Sequence, residues 1–166
     1  MTDEAMKKGQ SRLFLFQVEG LRLGQVRKIS KLLNDFERAY NSIYYYYKDV
    51  NSIEEAEEEE WLSLDLIQFS SNGFWEFRGS RYPLNVIQIW LEDHHERRRH
   101  RDYLTPIEEQ LRILDMEVIR DKVAFLLSQE VPRKEILDGV VEYIYQPLNR
   151  LRNHQITGMI DEAHLI

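Results

Sequence analysis

The sequence predicts an α+β fold, an incomplete ferredoxin-like β-α-β-β-α unit followed by a helical C-terminal half. Three observations lead there. Bulky residues alternate in the run LFLFQVEG, and a long stretch after it repeats apolar residues at spacings of three and four. Two further alternating runs then flank an Asn72-Gly73 pair, the strongest short hairpin signal because both residues accept positive φ. Between residues 107 and 147 the apolar positions recur at helical spacings, and after that they are scattered. The expected organisation is a flexible tail over 1–11, an α+β core over 12–92, and a charged bridging helix with a helical region over 93–166.

The first strand is expected from Arg12 to Gly20. The helix after it carries Leu23, Val26, Ile29, Leu33, Phe36, Tyr40 and Ile43 on one face and closes on Tyr44, Tyr45, Tyr46 and Tyr47. Four consecutive positions point around a helix, so some of these tyrosines are expected on the surface as a partner-binding patch. Leu62, Leu64 and Leu66 alternate in the second strand, and Phe74, Trp75 and Phe77 mark the third. The next helix is expected to begin at Pro83, which suits a first helical position, and its buried stripe is Leu84, Ile87 and Leu91. No fourth strand is evident, although residues 156–160 are a candidate for the open sheet edge.

EDHHERRRHRD follows, three helical turns without an apolar position. Such a helix cannot be held by core burial. It is expected to project from the core or to bridge packed regions, helped by pairs such as Asp93 with Arg97 and Glu96 with Arg99. Thr105, Pro106 and Glu108 form a capping-box signature and predict a break near 104–105. One helix is expected next, with Ile107, Leu111, Leu114, Val118 and Phe125 near a heptad seam. A last helix is expected to start at Pro132 and stop at Pro147.

Composition narrows function. The 166 residues carry a net charge of −7, which opposes general attraction to nucleic acid or anionic lipid. No cysteine, secretory signal or membrane-spanning run is visible, so a cytoplasmic protein is expected. Neither a nucleophile elbow nor a glycine-rich phosphate cradle appears, and no catalytic residue or cofactor is assigned. His94, His95 and His100 are close in sequence, but spacings of five and six do not share a helix face, so no metal site is assigned. The acidic run 54–60 and the basic run 97–101 are oppositely charged and able to pair within one molecule or between copies.

The segment GFWEFRGSRYPLNVIQIWLEDHHERRRHRDY, residues 73–103, resembles a segment of small uncharacterised bacterial proteins frequent in cyanobacteria. In those a G-F-W-E-F-x-G turn precedes N-P-L-x-x-I and a charged D-x-H-E-R-R helix. Arg78, Arg81 and Tyr82 depart from that pattern, and the resemblance implies no chemistry.

The expected function is a non-enzymatic adaptor or assembly module that self-associates or binds a protein partner. By likeness of shape it would belong to bacterial signalling or anti-phage defence. Its expected contacts are the four tyrosines with Arg97, Arg98, Arg99 and Arg101. The alternative is a single-stranded RNA-binding module using Phe74, Trp75 and Phe77 with the arginine-rich helix.

Overall fold

The computed structural model describes residues 10–16, 26–48, 56–68, 73–157 and 159–166. The expected strand end at Gly20, the turn residue Asn72 and the first two residues of the acidic run, 54–55, lie outside them. A four-stranded sheet, β1 (Gln10–Phe16), β2 (Ser63–Gln68), β3 (Phe74–Ser80) and β4 (Ala163–Leu165), is ordered β2-β3-β1-β4 with every neighbour antiparallel. The helices are α1 (Val26–Lys48), α2 (Arg81–His100), α3 (Pro106–Asp115), α4 (Glu117–Ser128), α5 (Arg133–Val140) and α6 (Gln146–Ile156). No helix among the described residues is long and apolar enough to cross a membrane.

Alternation along β1 and β3 sends Leu13, Leu15, Trp75 and Phe77 to one face, where all four are buried. α1 and α2 pack on the sheet from that side. Phe36 of α1 stacks on Phe77 at 4.0 Å, and Leu84, Ile87 and Leu91 of α2 join the same cluster. Tyr40 crosses the end of β3, where a Cβ on Gly79 would stand 2.8 Å from its hydroxyl. Glycine is therefore needed there for close approach rather than for its backbone angles. The Tyr40 hydroxyl accepts the Ser80 N–H at 2.7 Å and donates to the Glu60 carbonyl.

Several expectations are corrected. β1 begins at Gln10, inside the segment expected to be a flexible tail. The sheet is not left at three strands. Residues 163–165 pair with β1, and the Arg12 and Ile166 backbones exchange hydrogen bonds of 2.9 and 2.8 Å beside them. In β2 a register shift between Leu64 and Leu66 leaves those leucines exposed, while Leu62 and Ile67 pack on the core.

α2 does not project. Its polar half is held by contacts from the C-terminal segment: His95 Nδ1 lies 2.9 Å from Asp161, Glu92 accepts the Ala163 N–H at 2.7 Å, and Gln155 donates to the Leu91 carbonyl at 2.8 Å. The break before Thr105 is present, with the reciprocal Thr105–Glu108 capping box. The helix expected after it divides at Met116, whose backbone is extended. That division turns both Ile113 and Ile119 into the core and leaves the supposed seam residues Ile107, Leu111 and Phe125 exposed.

Pro147 does not stop its helix. Residues 141–145 form a π turn that joins α5 to α6, with the Gln146 N–H bonding the Val141 carbonyl. Proline has no N–H to offer the Tyr143 carbonyl four residues earlier. Ser42 of α1 supplies the donor instead, at 2.6 Å.

Candidate functional site

Two surfaces stand out, a polar cavity and an apolar groove. The cavity, about 400 Å³, is enclosed by the second half of α2, the connection 101–105, the first turn of α3, and α6. Its back wall is a network built from three helices. His94 Nδ1 lies 2.9 Å from the Trp90 carbonyl and Nε2 lies 2.7 Å from Arg152 Nη1. A carbonyl only accepts and a guanidinium only donates, so His94 is neutral with its proton on Nδ1. Burial pushes the His94 pKa below its usual value and the Arg152 charge adds to this, against the Trp90 carbonyl, Glu109 and Asp93.

Arg152 also donates to Glu109 and to Asn149. Glu109 is buried and accepts from the Tyr145 hydroxyl at 3.3 Å, which helps hold the tyrosine pKa above its usual value, behind the larger effect of burial. The π turn brings Tyr145 to this position, one residue before α6. Two buried polar atoms of cavity-lining residues lack partners among the described residues, Nε of Arg152 and Oε1 of Gln155.

The four arginines expected to act together separate. Arg97 lines the cavity but is held by Asp93 at 3.0 Å and Asp102 at 3.1 Å. Arg98 lines it too. Its guanidinium donates to the Gln155 carbonyl at 2.8 Å and has no carboxylate partner among the described residues. Arg99 pairs with Glu96 at 3.4 Å, and Arg101 is an exposed left-handed cap at φ 52°. None of these arginines pairs with the described part of the acidic run, whose Glu60 accepts from Tyr44 instead.

The tyrosines also disperse. Tyr44 is buried, and burial together with Glu60 raises its pKa. Tyr46 lies against Tyr143, with centroids 6.4 Å apart. Tyr47 stacks on Tyr82 at 3.5 Å, and their hydrogen bond pushes the Tyr82 pKa up to about 12. Tyr45 is half-buried. Of the aromatics assigned to RNA, Trp75 and Phe77 are buried under the helices, so they cannot stack on bases. Phe74 faces the other way and meets Phe14 at 5.6 Å and Phe16 at 6.0 Å, while His164 sits edge-on to Phe16 at 5.1 Å. The arginine-rich helix lies on the opposite side of the sheet.

The second surface lies between α4 and α5. Leu114, Val123, Ala124, Leu127, Ile136 and Leu137 line an apolar groove of about 380 Å³, with Arg120 and Arg133 beside them. Leu127 and Leu137 are 45% and 49% exposed, and Phe125 on the same helix is 53% exposed.

Sequence reasoning missed Glu109, Tyr145, Asn149 and Arg152. Only the spacing of Trp90 with His94 and of Asn149 with Arg152, four and three residues along their helices, offered a local signal. Among the described residues no group of three or more His, Asp or Glu is arranged to hold a metal ion. Compared with models of known protein families, with curated proteins and with solved structures, the chain finds no match.

Proposed function

We propose that the protein is a non-enzymatic adaptor or assembly module built on a ferredoxin-like unit, and that two copies meet through the α4–α5 groove. The order β2-β3-β1-β4, antiparallel throughout with α1 and α2 on one face, supports the ferredoxin-like reading, α3 to α6 being an insertion before the last strand. The exposed leucines of the groove carry the contact reading, because a two-helix layer with an apolar outer side leaves unburied surface of the kind found at interfaces. A second copy is favoured by charge. Arg120 and Arg133 line the groove and α5 also carries Glu135 and Asp138, so a two-fold arrangement can set each basic group against acidic groups of the other copy, Glu117 and Asp121 being turned to Arg81 and Tyr82 instead. Bacterial signalling or anti-phage defence as the setting rests on likeness of shape alone.

Light scattering during size exclusion tests the contact. The expected mass is twice 20.1 kDa, returning to 20.1 kDa when Leu127→Glu and Leu137→Glu are combined. A wild-type monomer at every micromolar concentration sinks self-association and leaves a different protein as the partner.

Binding of single-stranded RNA is a second reading, favoured by Phe14, Phe16 and Phe74 on the side of the central strands away from the helices. It requires a titration with mixed single-stranded RNA that weakens with salt and with Phe14→Ala. Affinity that is absent or indifferent to salt removes it.

A further inference from the structure

We propose that the cavity between α2, α3 and α6 binds a small organic phosphate of mononucleotide size, held by Arg98 with help from Arg97 and Arg152. Its volume of about 400 Å³ falls in the range of small-molecule sites, roughly 300–1,000 Å³. In a chain of net charge −7, three guanidiniums and one carboxylate line this space. The carboxylate, Glu109, is already engaged by Arg152 and Tyr145. Arg97 is balanced by two aspartates, which leaves Arg98 as the surplus cation and the Arg152 Nε–H as an idle buried donor.

Donors carried by two different helices suit the several oxygens of a tetrahedral phosphate better than a planar carboxylate, which one arginine satisfies alone. Tyr103, Leu104 and Ile156 supply the apolar side of the cavity, fit for a ring system. Gln155 is 2% exposed and spends its amide N–H groups on the Leu91 and Asp161 carbonyls. Its unused Oε1 is an acceptor, which suits a hydroxyl or amino group on the ligand.

The site is separate from the α4–α5 groove, so its failure and that of the assembly reading are independent. Calorimetric titration of the full chain with adenosine monophosphate, inorganic phosphate and adenosine tests it. Adenosine monophosphate is expected to bind most tightly, inorganic phosphate more weakly, and adenosine weakest. Arg98→Gln is expected to weaken adenosine monophosphate about tenfold or more, the size of one charge-assisted hydrogen bond. Ile156→Glu, at a position 61% exposed, is expected to do the same by adding a carboxylate at the cavity and to keep the wild-type melting temperature without ligand, whereas Arg98→Gln, which gives up the hydrogen bond to the Gln155 carbonyl, should melt somewhat lower. Three results overturn the proposal: no heat up to millimolar adenosine monophosphate, equal binding of adenosine, or affinity unchanged in both variants. Binding confined to a single-stranded oligonucleotide overturns it as well, in favour of a nucleic-acid surface.

Discussion

His94 shows how a single side chain ties its neighbours to acidity. Buried against Trp90 and facing Arg152, it stays neutral in the folded chain, with its pKa below the ordinary value of about 6.5. The unfolded chain takes up a proton on this histidine as pH falls through about 6.5, whereas the folded chain resists until the lower folded value. Between those two values the unfolded state binds more protons, so the site costs stability as pH drops and costs nothing above about 6.5. His94→Gln removes this dependence. Wild type should therefore lose stability relative to the variant as pH falls below about 6.5 in urea titrations, and a constant difference would refute the assignment. Near His94 in sequence only Trp90, four residues before it, hinted at this role. Local spacing argued correctly that His94, His95 and His100 do not share a face, yet the partners that matter lie fifteen and fifty-eight residues away.

Among the elements, those defined by local chemistry were legible and those defined by tertiary compensation were not. α1 and the start of α3 follow from apolar spacing and from Thr105 and Glu108 reaching each other. The β2–β3 hairpin follows from its alternating flanks, although the bulge that exposes Leu64 and Leu66 does not. Met116 breaks a helix without glycine or proline to mark it, and its extended backbone is explained only by the gain of burying both Ile113 and Ile119. Pro147 misleads in the opposite sense, because Ser42, on another helix, satisfies the carbonyl that proline abandons. Ser42→Ala should cost about 0.5–1.5 kcal/mol, the net worth of one hydrogen bond. In a Pro147→Ala background the regained N–H can serve the Tyr143 carbonyl, so the same serine change should cost clearly less. Equal costs in a double-mutant cycle would show that the serine does not act through that carbonyl.

The chain should unfold as one cooperative body, because its last residues complete its first layer. Core and helical halves were expected on either side of residue 92, and the contrast in composition is real, but the buried cluster runs from Leu13 through Ile113 and Leu151 to Ile160. β4 is only three residues long, too short to leave an alternating pattern, and its position is set by β1 and by Glu92 rather than by its own sequence. A buried Asp35–His154 contact of 2.8 Å likewise joins α1 to α6 across 119 residues. A chain ending at Ile156 would lose β4, the Asp161 partner of His95, and the burial of Met159 and Ile160. Burial of those two side chains alone is worth about 3–6 kcal/mol, against a total stability of about 5–15 kcal/mol for a domain. The truncated chain should therefore melt far below the full one or lose its sigmoidal transition. Circular dichroism and tryptophan fluorescence should change together in the full chain, since Trp75 and Trp90 report the sheet and the helical wall of the same cluster. Separate transitions for the two probes, or an unchanged midpoint after truncation, would mean that the sheet and the inserted helices fold independently.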